Sequence, residues 1–325
     1  MTTSSKTLIG IGNAAIDGTV EVSSDAELQE LECIKGTCVF VDGDDPRMKR
    51  IFDRYPDYQK DPGGSAANAL SAYSALGGTS RFIGKCGQDE YGEYFTDNIK
   101  QFGVTFNTKP TTEVESTFLF SVITPDRERS FLSNHGASHE ISADDVSADW
   151  FTPNTSLIID GYMLMSGGGP EAMFTAMDYA ERAGSDIIFM PCSLTVIIEK
   201  RDFVDQISER ATAIIANHEE AAAMVKTADY KDIKDMFDWG VVTLSEKGAW
   251  YFDNRTGVEG LVPTPYQPDA IKNTNGAGDN FSGGLIYGLH HGMPIEDAIT
   301  LGHKCAIHVL QKTGARCDFD IQHLL

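Results

Sequence analysis

The second half of the chain alternates short apolar runs with longer segments of helical spacing. The apolar runs are rich in Ile, Val, Leu and Phe and lie at 156–160, 186–190, 213–217 and 241–245. Runs of this length are typical of strands that are buried on both faces of a sheet. Between them, apolar residues recur three and four positions apart in segments such as 194–211. This β-α-β-α alternation predicts an α/β fold with a doubly wound, mainly parallel sheet.

The first part of the chain departs from this alternation. Residues 17–42 contain two strand-like pieces around a short acidic helix. Residues 116–133 have two β-rich arms around a turn that contains Pro and Asp, and they predict a hairpin. Strands outside the main alternation suggest a small separate sheet, which could form a lid over an active site. We expect one domain over residues 1–325, in which two excursions form a small β-sheet lid, at about 17–42 and 114–133.

Composition and charge restrict the partners. Of the 325 residues, 41% are hydrophobic, which excludes global disorder, and the formal net charge is −22. So acidic a chain is poorly suited to a nucleic-acid backbone or an anionic membrane, and we expect neither as a partner. The start of the chain lacks a secretory pattern, and no run approaches the roughly 18 apolar residues of a membrane span. We therefore expect a cytoplasmic protein.

The sharpest chemical signal is the segment 273–284, NTNGAGDNFSGG. Gly276 and Gly278 allow a tight turn that exposes consecutive backbone N–H groups, and an amphipathic helix follows at once. Such a helix start is an anion site. Asp279 in the first turn could accept the proton of a substrate hydroxyl while the N–H groups stabilise a transferring phosphoryl group. The alternative is a glycine turn in which Asp279 only caps the helix.

Two segments nearer the N-terminus carry groups that suit a polyhydroxylated ligand. Gly63 and Gly64 open a predicted helix, and Asn68 on its early turns offers a donor and acceptors to hydroxyls. The alternative is that these small residues only permit tight helix packing. Asp17 follows a glycine-rich run that imitates a dinucleotide fingerprint, but strand-like residues come next where that fingerprint requires a helix. Asp17 makes better sense as an acceptor for sugar hydroxyls.

A further polar pair stands at the end of a buried strand. Asn217 and Glu220 are three residues apart, so both can face a cleft at the carboxyl end of that strand. Their oxygen atoms suit Mg²⁺, an ion that usually keeps several waters. The alternative is a capping pair at a helix start.

Together and in this order, these segments resemble the signature motifs of the ribokinase (PfkB) family of small-molecule kinases. Gly63-Gly64 with Asn68 is similar to the N-terminal signature, and 273–284 is similar to the C-terminal D-T-T-G-A-G-D signature. The resemblance runs from Ile9 to Ala315. It implies a ribokinase-like α/β domain with a β lid. It also implies transfer of the ATP γ-phosphate, with Mg²⁺, to an alcohol that is usually a hydroxymethyl group of a sugar or nucleoside.

The resemblance implies roles for the matching residues. The catalytic base and the anion hole would be Asp279, Gly276, Ala277 and Gly278. The substrate-binding residues would be Asp17, Gly63, Gly64 and Asn68. The nucleotide-binding residues would be Asn217, Thr243, Ser245, Gly248 and His303. The residues linked to Mg²⁺ would be Asn217 and Glu220.

Several features of the chain bear on the family's variable properties. Asn273 stands where the family has Asp, and in members that use a monovalent cation that Asp supports the cation site. The lost charge puts K⁺ activation in doubt, although an amide oxygen can still ligate. His303 stands where ribokinase has an Asn beside adenine, and it either packs on the base or lies on the helix face. Arg127 or Arg129 of the hairpin could reach phosphate across the cleft. The lid could also pair with another subunit's lid to form a homodimer.

The acceptor is the least determined property. The phrases at 10–17, 63–78 and 121–131 look most similar to bacterial members described as adenosine-kinase-like or general sugar kinases. We expect adenosine or a related nucleoside, with a ribokinase- or fructokinase-type sugar kinase as the alternative. An alternative of another class is a catalytically silent regulator that binds a nucleotide or sugar. The aromatic residues that could stack on a purine, or could form the lid's own core, are Phe118, Phe120, Phe131 and Tyr162.

Overall fold

A computed structural model describes residues 6–41, 45–126, 128–225, 227, 229–266 and 270–325. Arg127, a candidate phosphate contact, and residue 42, the end of the first predicted excursion, lie outside these ranges.

The helices are α1 Asp25–Glu30, α2 Pro46–Arg54, α3 Ser65–Ala75, α4 Glu90–Gln101, α5 Gly169–Ala183, α6 Leu194–Glu199, α7 Arg201–Ser208, α8 His218–Val225, α9 Ala277–His290 and α10 Ile295–Leu310. Within the described ranges, no helix combines the length and apolarity that a membrane span requires.

A large, mostly parallel sheet forms the centre of the molecule. Its strands are β1 Thr7–Ile11, β5 Thr79–Ile83, β6 Thr105–Phe106, β9 Thr155–Asp160, β10 Asp186–Met190, β11 Ala213–Asn217, β12 Trp239–Thr243, β13 Ala249–Asp253 and β14 Val258–Val262. Their order is β14-β13-β12-β11-β10-β9-β1-β5-β6. Only the β12–β13 and β13–β14 pairings of this sheet are antiparallel in the described part of the chain. The predicted α/β fold with a doubly wound, mainly parallel sheet is confirmed.

Helices cover both faces of this sheet because its strands are apolar on both faces. In β9, Ile158 joins the apolar cluster that contains Leu70 of α3 and Leu285 of α9. The neighbouring residues Leu157 and Ile159 join a second cluster on the opposite face, with side chains from α5, α6 and α7. Such two-sided burial is why the strands read as continuous apolar runs in the sequence.

A second, smaller sheet lies beside the first. Its strands are β2 Ala15–Glu21, β3 Cys38–Val41, β4 Gln59–Pro62, β7 Thr117–Ile123 and β8 Arg129–Asn134, in the order β3-β8-β7-β2-β4. The hairpin predicted at 116–133 corresponds to β7 and β8, which pair antiparallel. The first excursion extends further than predicted, because α2 and β4 also belong to the small sheet and its cover. The segment of β4, Gln-Lys-Asp-Pro, has no apolar alternation from which a strand could be predicted.

The two faces of the small sheet have different neighbours. Phe118 and Phe120 of β7 point to the face that α2 covers, where their rings lie 5.1 and 4.7 Å from the ring of Phe52. These two aromatics are therefore core residues, as the alternative interpretation held. Leu119 alternates to the other face, and Phe131 shares that face because it pairs with Ser121. That face of the small sheet faces the large domain across a cavity.

Two predicted elements differ in detail. The helical segment 194–211 is divided at Lys200, whose φ of −115° and ψ of 30° end α6 before α7 begins. The strand predicted at 241–245 begins and ends two residues earlier, as β12. Ser245 has a φ of +56°, a left-handed conformation that a strand cannot include.

Candidate active site

The start of α9 is shaped by a glycine that no other residue could replace without strain. Gly276 has a φ of +74°, and a Cβ on it would lie 2.1 Å from the carbonyl oxygen of Ala315. The side chain of Asn280 keeps the two backbone segments close together, because its Nδ2 donates to the carbonyl oxygens of Gly276 at 2.7 Å and Ala315 at 2.8 Å. The first-turn N–H groups of Ala277 and Gly278 have no partner within the helix, and that of Ala277 makes only a long hydrogen bond, 3.5 Å, to the carbonyl oxygen of Thr274. The helix start therefore presents donors and a positive dipole end beside Asp279.

Asp279 lies where two cavities meet. One cavity, of about 280 Å³, is lined by the carboxyl ends of β11 and β12 and by the start of α9. The other, of about 460 Å³, lies between the large domain and the small sheet. Both linings include Ser65, Tyr162, Gly276 and Asp279. A group bound in one cavity can thus meet a group bound in the other at the carboxylate of Asp279.

The paired glycines place α3 against the same carboxylate. Gly64 has a φ of +89°, and a Cβ on it would lie 2.1 Å from the carbonyl oxygen of Asn13. A Cβ on Gly63 would lie 2.5 Å from Oδ2 of Asp17. Because both positions lack a side chain, α3 begins in contact with the segment that joins β1 to β2. The structure thereby brings Asn68 to Asp279, with its Nδ2 donating to Oδ2 at 2.9 Å.

Burial makes the carboxyl groups of the site weak acids. It is the main cause that raises the pKa of Asp17 and Glu220 to about 7 and that of Asp160 to about 6. Burial also raises the pKa of Asp279, although hydrogen bonds from Asn68 and Ser65 oppose this rise. The negative charge of Asp279 contributes to the raised pKa of the other three.

Asn217 and Glu220 form a capping pair and also line a cavity. The Asn217 backbone N–H donates to Glu220 Oε2 at 3.0 Å, and the Glu220 N–H donates to Asn217 Oδ1 at 2.8 Å. The capping interpretation therefore holds for their mutual contacts. Both residues nevertheless line the smaller cavity, with Thr243, which is paired with Asn217 across β11 and β12.

The donor set of the smaller cavity fits a hydrated Mg²⁺. Glu220 supplies a carboxylate and Asn217 an amide, and oxygen ligands are what Mg²⁺ requires. No group of three or more His, Cys, Asp or Glu side chains that could hold a metal occurs among the described residues. An ion there would depend on water and phosphate oxygens for most of its ligands.

Three predicted nucleotide contacts do not line the cavities that meet at Asp279. Ser245 and Gly248 form the turn after β12, where a Cβ on Gly248 would lie 2.1 Å from the carbonyl oxygen of Val262. His303 is buried on α10, its ring packs edge-on against Phe281 at 5.1 Å, and burial lowers its pKa. These three residues are absent from the described linings of the two cavities.

Two buried charged residues of the site were missed. Asp160 ends β9 and accepts hydrogen bonds from the backbone N–H groups of Tyr162 at 3.0 Å and Ala66 at 3.3 Å. Its position at the end of a buried strand could have identified Asp160 as a candidate site residue, because the carboxyl ends of parallel strands line clefts. Arg316 donates to Asn68 Oδ1 at 3.1 Å and to the carbonyl oxygen of Gly63 at 2.9 Å. No local pattern marks Arg316, since its partners, at the start of α3 and on α4, are distant in sequence.

The side chain of Asn273 is already hydrogen-bonded to other parts of the protein. Its Oδ1 accepts hydrogen bonds from Nη2 of Arg129 at 3.1 Å and from the N–H of Asn275 at 3.0 Å. Its Nδ2 donates to the carbonyl oxygen of Gly314 at 3.2 Å. A guanidinium thus occupies the place beside Asn273 Oδ1 where a monovalent cation would have to bind that oxygen.

The family model for "pfkB family carbohydrate kinase" matches residues 29–321. The chain belongs to the PfkB family. It is therefore a small-molecule kinase, as the resemblance implied. The curated relatives of this PfkB kinase include the 5-dehydro-2-deoxygluconokinase of Geobacillus thermodenitrificans (strain NG80-2), 27% identical over 300 residues, which cover 87% of this chain and 88% of the relative.

Solved structures similar to this PfkB kinase include proteins named as sugar kinases and proteins named as adenosine kinases. A probable sugar kinase from Rhizobium etli CFN 42 aligns with a TM-score of 0.88 at 24% identity, over 98% of this chain and 97% of that one. The adenosine kinase from Sinorhizobium meliloti aligns with a TM-score of 0.85 at 26% identity, over 96% of each chain. The ribokinase-like fold is shared by both, while their names divide between sugar and nucleoside acceptors.

Proposed function

We propose that this PfkB kinase transfers the γ-phosphoryl group of ATP to the hydroxymethyl group of a ribosyl compound, with adenosine or a related nucleoside as the acceptor. The observation that carries the proposal is the position of Asp279 at the junction of two cavities. The smaller cavity takes the phosphate end of ATP against the start of α9. The larger cavity takes the acceptor, and the small sheet serves as its lid.

Each group at the junction has one task in the transfer. The acceptor oxygen attacks the γ-phosphorus as the bond from that phosphorus to the bridging oxygen of ADP breaks, and the hydroxyl proton passes to Asp279. The N–H groups of Ala277 and Gly278 stabilise the equatorial oxygens of the transferring group. Asp17 and Asn68 orient the ribosyl hydroxyls. Mg²⁺, held near Asn217 and Glu220, supplies positive charge to the phosphates when bound.

The larger cavity favours a neutral acceptor with an aromatic part. Its lining includes the rings of Phe40, Phe131, His135 and Tyr162, on which a purine can stack. Phe40 and His135 already lie parallel, with ring centroids 5.0 Å apart. No Lys or Arg occurs among the described residues of this lining. A sugar acid would find no cation in the lining itself, because Arg316 and Arg129 donate to the lining residues Asn68 and Asn275 instead.

A sugar kinase is the second candidate. It is favoured by the curated relatives, which are named 5-dehydro-2-deoxygluconokinases, and by the family description. The polar floor of the larger cavity, with Asn13, Asp17 and Asn68, also suits the hydroxyls of a free sugar.

A panel of acceptors separates these candidates. ADP release is measured with ATP and Mg²⁺ for adenosine, guanosine, ribose, fructose and 5-dehydro-2-deoxygluconate, and mass spectrometry identifies each product. The matched control is 5′-deoxyadenosine, which keeps the base but lacks the accepting hydroxyl. Release with adenosine and none with the control supports the proposal, whereas release with a sugar alone makes the enzyme a sugar kinase. Binding without release for every acceptor would favour the silent regulator.

A homodimer through the lid stays a prediction, and the small sheet limits how it could form. The outward face of that sheet is packed under α1 and α2, with Phe118 and Phe120 in its core. A partner would therefore have to add to an edge strand, β3 or β4, or to the helices.

A further inference from the structure

Arg316 is a buried arginine outside the motifs that carry the family resemblance. Only 7% of it is exposed, yet its guanidinium donates to three acceptors from two regions of the chain. Nε donates to Asn68 Oδ1 at 3.1 Å, Nη2 to the carbonyl oxygen of Gly63 at 2.9 Å, and Nη1 to Asn98 Oδ1 at 2.6 Å. The guanidinium carbon also lies 4.9 Å from the ring centroid of Phe95. The planar fork of an arginine is thereby held rigidly against the start of α3.

The contact with Asn68 decides which way its amide points. An Asn amide has an acceptor side and a donor side, while a guanidinium can only donate. Oδ1 of Asn68 must therefore face Arg316, which turns Nδ2 toward Asp279 at 2.9 Å. The reversed amide would set an oxygen against the carboxylate, and two acceptors would then meet without a hydrogen between them.

We infer that Arg316 is a positioning residue for phosphoryl transfer, which acts through Asn68 to hold Asp279 in place as a hydrogen-bond acceptor and proton acceptor. This inference rests on the proposed function, because it assigns the acceptor's proton to Asp279. It needs no contact between Arg316 and either substrate. The chain Arg316–Asn68–Asp279 connects the C-terminal segment to the base across the floor of the larger cavity.

Charge supports the same arrangement. Burial lowers the pKa of Arg316 to about 10, so the guanidinium remains protonated at neutral pH. It is a buried cation beside Asp17, and it opposes the burial that raises the pKa of Asp17. The titratable groups that influence Arg316 are Asp17, Cys317, Tyr94 and Cys86. The titratable groups on which Asp279 acts are Asp17, Asp160, Cys192 and Glu220.

The test compares two variants with a matched control. Arg316→Met removes all the donors, Arg316→Lys keeps the charge without the fork, and Asn98→Ala removes a partner of the same guanidinium that lies off the path to Asp279. We expect Arg316→Met to lower kcat about 10- to 100-fold, with the Kd for ATP unchanged. Asn98→Ala should keep the kcat of the wild type. Equal losses in Asn98→Ala and Arg316→Met would reduce Arg316 to a structural residue.

The pKa of Asp279 gives a readout that does not depend on turnover. A hydrogen bond from Asn68 favours the charged carboxylate, so losing the fixed amide should raise this pKa. Carboxyl NMR titration of Asp279 in the wild type and in Arg316→Lys would detect the rise, and the acid limb of kcat/KM should move to higher pH with it. An unmoved pKa in Arg316→Lys would overturn the inference.

A double-mutant cycle keeps the inference testable if Arg316→Met does not fold. When Arg316 acts through Asn68, Arg316→Lys lowers kcat in the wild type but has little further effect in Asn68→Ala. Additive losses would contradict the inference. A wild type that releases no ADP with any acceptor would contradict the proposed function instead, and the NMR titration would still decide the role of Arg316.

Discussion

The guanidinium of Arg129, on β8 of the small sheet, donates to Oδ1 of Asn273 at 3.1 Å in the loop that precedes α9. Arg129 also donates to the side-chain oxygens of Thr274, at 3.4 Å, and Asn275. The small sheet is thus joined directly to the loop that precedes α9 and its proposed anion site. A positive charge from the sheet therefore reaches this loop only when the sheet lies against the large domain.

We expect this kinase to work without K⁺, because Arg129 and Gly314 already use the side chain of Asn273. ADP release should be the same in KCl, NaCl and choline chloride at equal ionic strength. Activation by K⁺ alone would contradict this expectation. Arg129→Met should lower kcat. It should create no K⁺ response, because Asn273 remains hydrogen-bonded to Gly314 in this variant.

Asp279→Asn should lower kcat by about 10²- to 10⁴-fold. The amide keeps the size of the carboxylate but cannot take a proton from the acceptor. ATP affinity, measured by calorimetry, should be largely kept because the N–H groups at the start of α9 are backbone groups. The control is Asp57→Asn, at an exposed position far along the chain. Turnover like that of the wild type in Asp279→Asn would exclude Asp279 as the base.

Activity should fall on acidification at a pH above the usual pKa of an Asp. Burial raises the pKa of Asp279, so its carboxylate is protonated, and lost as a base, at a higher pH than in an exposed Asp. The profile of kcat/KM against pH gives the position of this acid limb. An acid limb at about pH 4, the usual value for Asp, would contradict the raised pKa.

Stability should change with pH in the opposite sense. Asp17, Asp160 and Glu220 have folded-state pKa values of about 7, 6 and 7, above the values near 4 of the unfolded chain. The folded state therefore binds more protons between about pH 4 and 7, and its stability falls as pH rises through this window. Tm measured without ligand should be lower at pH 7.5 than at pH 5. Asp160→Asn, which cannot titrate, should reduce this difference.

Gly64→Ala should destabilise the protein more than Gly184→Ala. Both glycines have positive φ, at +89° and +70°, so both variants incur the backbone penalty of about 1 kcal/mol. Only at Gly64 does the new Cβ meet an atom, the carbonyl oxygen of Asn13 at 2.1 Å, while Gly184 has open space. Urea unfolding compares the two free energies of unfolding. Equal decreases in the free energy of unfolding would mean that the start of α3 shifts to accommodate the new Cβ without destabilising the protein.

Phe131→Ala should raise the KM for adenosine about 2- to 12-fold, the effect of losing about 0.5–1.5 kcal/mol of aromatic contact. The KM for ATP should not change, because Phe131 lines only the larger cavity. Phe319→Ala, at a half-exposed ring distant in sequence from both sheets, is the control. An unchanged KM for adenosine would remove the support that the aromatic lining lends to a nucleoside.

Much of the large domain could be predicted from local patterns. Apolar runs predict the buried strands β9, β10 and β11, and they predict β12 with a shift of two residues. β12 ends before Ser245, which adopts a left-handed conformation. The start of α9 could also be predicted, since a Gly-x-Gly turn before an amphipathic segment specifies its own backbone. Periodicity in the sequence does not indicate which face of β7 packs against α2. Only the tertiary contacts with Phe52 show that Phe118 and Phe120 belong to the core on that face.

The sequence by itself determined the parallel core, the glycine turn that begins α9 and the choice of Asp279 as the proposed base, because each depends on residues that are neighbours in the chain. Tertiary structure decided the surroundings of Asp279. Arg316 and Asn68 are 248 positions apart, and Arg129 and Asn273 are 144 apart. Such contacts arise when elements pack, and no spacing in the sequence encodes them. Burial, which raises the pKa of the site's carboxyls, likewise exists only after the elements of the fold have packed around them.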